Sequence, residues 1–193
     1  MEHYIVLLRG INVGGKNKVP MSELRRCLEE LGFSDVSTYI ASGNVMLRSD
    51  ERPDAIQARI EEVLPRIFKL DSERIKALVL TREKLRSIVD GKPKDFGEHP
   101  EKYHSDALFL IGLAATQTIK VFSPREGVDR VWPGDGVIYS QRLSAERTKS
   151  RLSKIMGTPE YKSMTISSWN TTAKLLALIE GTGTQKDIMN QYT

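Results

Sequence analysis

The hydrophobic pattern of residues 4–80 changes period in one order: strand, helix, strand, strand, helix, strand. That order limits the available folds more than any single motif does. Tyr4-Ile5-Val6-Leu7-Leu8 is a continuous apolar run, which reads as a central strand. After a Gly-rich loop and Pro20, apolar residues fall at 21, 24, 28 and 31, a helical stripe with Gly32 placed to end it. Val36, Thr38 and Ile40 alternate as in a strand, Ser42-Gly43-Asn44 is a turn, and Val45 to Arg48 returns as a hairpin. Ile56, Ile60, Val63, Leu64 and Ile67 mark a second helix from Pro53, which Pro65 should kink or end. Ile75, Ala77 and Val79 alternate as a further strand. The resulting β-α-β-β-α-β order is the split βαβ of the ferredoxin-like fold.

Thr81 can cap a short helix that stops at Gly91, and residues 91–105 read as a polar linker or long loop. Ala107 to Ile111 is an expected strand, and residues 115–122 an expected helix. Val128–Trp132 and Val137–Tyr139 flank the turn Pro133-Gly134-Asp135-Gly136. A helix capped by Ser144 should run through Leu152, Ile155 and Met156 to Gly157. Met164 to Ile166 suits a short strand, and a last helix runs from about Trp169 to Glu180. The expectation is an α+β protein of two packed ferredoxin-like (βαββαβ) halves with an extra C-terminal helix. Its parts are a first half at 1–81, a connecting helix and polar linker at 82–105, and a second half at 106–193. Gly181 to Thr193 reads as a loosely attached tail. The halves share no evident sequence repeat, so a duplication rests on element order alone.

Composition excludes several classes. Hydrophobic residues make up 39% and charged residues 28% of the 193, which separates the chain from disordered sequences. No apolar run approaches the roughly 18–20 residues of a membrane span. Met1-Glu2-His3-Tyr4 offers no basic region of a secretory leader. Cys27 is the only cysteine, so neither an internal disulfide nor a CxxC zinc site can form. Cytoplasmic residence in a reducing compartment is expected, with no membrane partner and with the oligomeric state left open. Net charge is +4, unevenly spread. Arg9, Lys16, Lys18, Arg25 and Arg26 face only Glu2 and Glu23 in residues 1–26. Residues 142–174 carry Arg142, Arg147, Lys149, Arg151, Lys154, Lys162 and Lys174 against Glu146 and Glu160. Such segments suit anions if they share a face, and are solvated surface if they do not.

The loop Arg9-Gly10-Ile11-Asn12-Val13-Gly14-Gly15-Lys16-Asn17-Lys18-Val19-Pro20 is the most distinctive segment. Gly10, four residues, then Gly15-Lys16 matches most of the phosphate-cradling P-loop. Asn17 replaces the Ser or Thr that would hold Mg²⁺. Pro20 sets the helix start several residues past Lys16, and the β-α-β-β order is not a parallel sheet. An anion-binding loop using Arg9, Lys16 and Lys18 stands beside a purely structural loop, in which Gly14 and Gly15 supply positive φ.

A second candidate is Ser167-Ser168-Trp169-Asn170-Thr171-Thr172-Ala173-Lys174-Leu175. Asn170 and Lys174, four apart, share a polar face with Thr171 at a helix start that suits a phosphate or carboxylate. N-capping by Ser167 or Ser168 explains the same residues, and Trp169 reads as core. Arg147-Thr148-Lys149-Ser150-Arg151 suits either a nucleic-acid backbone or a solvated helix face. His99 and His104, five apart in a polar stretch, are not metal-spaced and read as surface. No G-x-S-x-G elbow is present, Ser42 reads as turn chemistry, and Cys27 as a buried thiol. Asp35 and Asp106, at expected strand starts, have no evident carboxylate partner for acid–base work.

Residues 4–21, Thr38-Tyr39-Ile40-Ala41-Ser42-Gly43-Asn44-Val45 and Trp169-Asn170-Thr171-Thr172-Ala173-Lys174-Leu175 together resemble the bacterial family called domain of unknown function 1697. Its closing motif is more usually written with Arg-Asn before the Trp, where this chain has Ser167-Ser168. The resemblance implies an α+β fold related to ferredoxin-like halves and carries over no catalytic role. Its motifs point to Arg9, Asn12, Gly14, Gly15, Lys16, Ser42, Gly43, Asn44, Asn170, Thr171 and Lys174. The functional expectation is a binding module for a phosphorylated ligand, a nucleotide or short nucleic acid, held by the Gly-rich basic loop without a cofactor or metal. An enzyme acting on a phosphate-bearing substrate and a protein-interaction or structural module are the alternatives.

Overall fold

The computed structural model describes residues 1–70 and 75–182. Its elements in order are β1 (Glu2–Arg9), α1 (Met21–Glu30), β2 (Ser34–Tyr39), β3 (Asn44–Ser49), α2 (Pro53–Phe68), β4 (Lys76–Thr81) and α3 (Arg82–Asp90). There follow β5 (Tyr103–Leu110), α4 (Ala115–Thr118), β6 (Asp129–Pro133), β7 (Val137–Leu143), β8 (Met164–Ser168) and α5 (Trp169–Ile179). The class is α+β, and the chain divides into two compact units. One is Met1–Leu85 with the chain from Leu175, the other Arg86–Lys174.

The first unit holds an antiparallel sheet ordered β2-β3-β1-β4. β1 is central, so the apolar run Tyr4–Leu8 loses both faces to the interior. Val6 and Leu8 pack with Val45, Leu47, Ala77 and Val79 against Leu24 and Leu28 of α1 and Ile56, Ile60 and Leu64 of α2. On the opposite face Ile5, Leu7, Met46 and Leu80 are buried too. Helix α1 stops where Gly32 takes φ +89°, with the N–H of Phe33 on Leu28 O and that of Gly32 on Glu29 O. Of the two outcomes expected at Pro65, an end to the helix does not occur. The helix runs on to Phe68 and stops at Lys69, which adopts the left-handed conformation. A proline this close to the last turn removes one bond where tertiary packing already holds the helix.

The second unit repeats the strand order as β6-β7-β5-β8, again antiparallel. Leu108, Leu110, Ile138 and Met164 of its sheet pack with Phe122, Leu152 and Ile155. Two expectations are corrected. No continuous helix follows Ser144; the chain makes 3₁₀ turns at Ser144–Lys149, Leu152–Gly157 and Pro159–Ser163. The buried Asp129 explains part of this break. Its Oδ2 accepts the N–H of Arg151 at 2.8 Å and that of Arg125 at 3.0 Å, pinning two turns to the start of β6. Burial would push the Asp129 carboxyl up. The bonds from Arg151, Ser150 and Arg125 and the Arg142 charge outweigh burial and hold it below the ordinary value.

The stretch 91–105 is also more than a polar linker. β5 already begins at Tyr103, and Phe96 is only 1% exposed. The Phe96 ring meets those of Trp169, Tyr139 and Trp132 edge-on at centroid distances of 5.0, 5.3 and 6.0 Å. The Tyr139 hydroxyl donates to Ile88 O at 2.6 Å, and burial followed by the Asp135 charge pushes its pKa up to about 12. Beside this cluster Gly97 takes φ +77°, and a Cβ there would lie 2.0 Å from the Trp169 ring. Of the tail expected over Gly181–Thr193, residues 183–193 lie outside the described residues.

Two stability outcomes follow. Phe96→Ala should cost about 3–5 kcal/mol and Gly97→Ala about 1–3 kcal/mol in urea unfolding followed by tryptophan fluorescence. A loss under about 0.5 kcal/mol for Phe96→Ala, the range of surface substitutions, would contradict its anchoring role. For Asp129, whose folded pKa is depressed, the stabilisation is full above the unfolded value of about 3.9 and is lost as pH falls through the folded value. Asp129→Asn should therefore be less stable at neutral pH and should lose less stability than wild type on acidification below about pH 4. Parallel urea midpoints across pH would refute this.

Candidate functional site

The Gly-rich loop leaves β1 and returns to α1 through residues in the left-handed region. Gly10, Asn12, Gly14, Gly15 and Asn17 have φ of 88°, 52°, 57°, 76° and 49°. Asparagine tolerates this conformation better than most residues because its short amide bonds locally. Asn12 Nδ2 donates to Val19 O and to Ala41 O, both at 3.0 Å, while its Oδ1 accepts the N–H of Val19 at 2.8 Å. Asn17 Nδ2 donates to Gly10 O at 2.8 Å. The N–H of Asn12 bonds Asn17 O, and that of Lys16 bonds Val13 O. Gly14 and Gly15 thereby form the two-residue tip of a miniature hairpin whose arms are Val13 and Lys16.

This geometry answers the P-loop comparison. The N–H groups of Asn12, Lys16 and Val19 are already bonded within the loop, so they are not turned inward around a phosphate. A Cβ on Gly14 or Gly15 would touch nothing, and positive φ is their structural requirement. Lys16 and Lys18 are exposed and, among the described residues, make no ion pair. Arg9 is half-buried and lies directly across from Lys76 on the β1–β4 ladder.

The loop and the Ser42-Gly43-Asn44 turn meet. β1 and β3 are antiparallel neighbours, so the end of one and the start of the other share an end of the sheet. Beyond the Asn12–Ala41 bond, the N–H of Leu8 donates to Gly43 O at 2.9 Å. A Cβ on Gly43 would lie 2.8 Å from Ile11 Cδ1 and 2.9 Å from Leu8 Cβ. Ser42 Oγ accepts from Asn44 Nδ2 at 2.8 Å, and the same amide donates to Tyr39 O at 3.2 Å. Arg9, Asn12, Gly14, Gly15, Lys16, Ser42 and Asn44 thus belong to one end of the first unit.

Asn170, Thr171 and Lys174 belong to the other unit. Ser168 Oγ accepts the N–H of Thr171 at 3.2 Å and donates to Thr171 Oγ1 at 2.9 Å, an N-cap. Asn170 is exposed and Lys174 half-buried. Asn170 also lines a pocket of about 140 Å³ with Tyr103, His104, Ser105, Ser168 and Trp169. His104 Nε2 lies 3.1 Å from Asp106 Oδ1. Burial pushes the Asp106 carboxyl up, partly countered by the His104 and Arg142 charges. Asp106 stands well inside β5, not at its start, and Asp35 pairs with Arg48 at 3.1 Å. Starting β5 at Ala107 hid the pocket in the sequence. Extending the strand to Tyr103 would have placed His104 and Asp106, two apart, on one face. Among the described residues no three His, Cys, Asp or Glu converge as a metal site, and none of their helices is long and apolar enough to cross a membrane.

Asn12→Ala should destabilise the chain by roughly 1–3 kcal/mol, because it leaves loop and turn groups without their partner. Asn12→Asp keeps the acceptor but loses the Nδ2 donor. Urea midpoints within about 0.5 kcal/mol of wild type for Asn12→Ala would show that the loop holds its shape without this side chain.

No curated protein matches this chain. Among solved structures it is similar to the conserved bacterial protein SP0830 from Streptococcus pneumoniae, at 29% identity and a TM-score of 0.73, over 92% of this chain and 98% of that one. The family model matches residues 1–139, which takes in the Gly-rich loop and the Ser42-Gly43-Asn44 turn and stops before the Trp169 motif. On that match the chain belongs to the family described as Protein of unknown function (DUF1697).

Proposed function

We propose that the chain is a binding module for a phosphorylated ligand, which it takes at the loop end of the first unit. One observation carries the reading. An asparagine-pinned loop presents exposed Lys16 and Lys18 at the end of the sheet where Arg9 and Lys76 stand opposite each other. Ligand contact would come from side chains and the exposed tip, since the loop's backbone donors are largely bonded within it. The second face of this sheet carries buried Ile5, Leu7, Met46 and Leu80, not exposed aromatics, so it lacks the stacking platform of sheet-type RNA binders. A small phosphorylated molecule is therefore favoured over a long RNA. We read both halves, 1–81 and 106–193, as ferredoxin-like on strand order, and the protein as cytoplasmic on its single buried cysteine.

A second reading is a protein-interaction module. Val13, on the arm next to the hairpin tip, is 66% exposed, and a pinned hairpin with an exposed apolar side chain suits insertion into a partner.

A thermal-shift panel of nucleotides, sugar phosphates and short oligonucleotides at low and moderate salt separates the two. A ligand at about 100 times its Kd adds roughly 2.7 kcal/mol of stability. A salt-sensitive rise in Tm that disappears in Lys16→Ala/Lys18→Ala supports the anion reading. No shift across the panel transfers the weight to the Val13 hairpin.

A further inference from the structure

In the Arg86–Lys174 unit the Asp129 carboxylate joins two segments that carry exposed positive charge. One oxygen, Oδ2, accepts the N–H of Arg125 at 3.0 Å and that of Arg151 at 2.8 Å, so the two main chains meet at a single atom. Nη1 of Arg125 also reaches Lys149 O at 3.5 Å. Within the 3₁₀ turns the N–H of Ser150 bonds Arg147 O, and that of Lys154 bonds Arg151 O. Arg125, Arg147, Lys149, Arg151 and Lys154 are all exposed. Half-buried Arg142 stands directly across the ladder from Asp129.

Little negative charge offsets this cluster. Asp129 is only 6% exposed, Glu146 is paired with Lys149 at 2.6 Å, and Glu126 is exposed beside Arg125. Among the described residues Arg125, Arg147, Arg151 and Lys154 make no ion pair. Gathering like charges raises self-repulsion and creates a positive potential that a polyanion relieves. The local structure narrows the polyanion. The segments are loop and 3₁₀ turns, which offer no recognition helix for a major groove. The strongly exposed apolar side chain in these turns is Met156 and not an aromatic ring, so a platform for unstacked bases is lacking. Contact with the phosphates on the outside of a duplex needs charge and reach, but neither a groove nor stacking.

We infer that this surface, gathered by Asp129, binds the phosphate backbone of double-stranded nucleic acid without reading its sequence, through Arg125, Arg147, Arg151 and Lys154. It uses no residue of the Gly-rich loop and does not rest on the reading given for that loop.

The test is fluorescence anisotropy of a short labelled DNA duplex of arbitrary sequence, titrated with the full chain across a salt series. Saturable binding is expected, with log K falling linearly against log salt. Combining Arg125→Ala, Arg147→Ala and Arg151→Ala should weaken binding at low salt by roughly tenfold or more and flatten the slope by about 0.9 per lost contact. The backbone N–H groups that Asp129 holds survive these changes, and a urea midpoint checks the fold. If it falls, Arg147→Glu with Lys154→Glu replaces the triple variant in the same comparison. The net charge of +4 calls for a control of equal charge. Arg26→Ala, Arg52→Ala and Arg66→Ala remove three cations that lie elsewhere and are mostly exposed, and this variant should keep the wild-type slope. An absence of saturable binding, or an equal loss in the two triple variants, overturns the inference. So does tighter binding of the single strand than of the duplex, or binding of phosphatidylserine vesicles without binding of the duplex.

Discussion

The pairing of β1 between β3 and β4 is the constraint from which the first unit follows. A strand with apolar residues on both faces gains most when each face is covered, so Tyr4–Leu8 takes the centre of the sheet. Helices α1 and α2 then cover one face, and β2 and β4 are left at the edges. The same pairing brings the ends of β1 and β3 together. The Gly-rich loop and the Ser42-Gly43-Asn44 turn are adjacent for that reason, although about thirty residues separate them in sequence.

Asparagine side chains pin the loop's shape. Asn12 satisfies three backbone groups across two loops, and Asn17 a fourth. Such a loop is preformed, and preorganisation lowers the cost of binding whatever meets its tip. It also separates this loop from a P-loop, in which free N–H groups close around the ligand.

The second unit reaches the same strand order by other means. Where the first uses two long helices, the second uses α4 and a run of 3₁₀ turns, tied down by the Asp129 carboxylate. Phe96 supplies apolar contact from a stretch that is otherwise polar, reaching Trp132, Tyr139 and Trp169 at once. A single aromatic side chain flanked by Gly, Pro and charged residues has no periodicity, so no local pattern identifies it as core.

Local periodicity determined much of this protein: the strand and helix order of residues 1–81, the turn at Pro133–Gly136, the ends of α1 and the start of α5. Each depends on neighbours a few residues apart, which is the range over which backbone geometry and side-chain alternation act. The residues of the loop were legible as a group because glycine, asparagine and lysine are unusual in such density after a strand. What they do there was not, since the bonds from Asn12 to Ala41 and from Leu8 to Gly43 join distant segments. The same holds for the collapse of the expected 144–157 helix onto Asp129, the burial of Phe96, and the pocket that gathers His104, Tyr103 and Asn170. Tertiary structure decided these, because a buried carboxylate or a ring cluster acts through contacts between segments far apart in the chain.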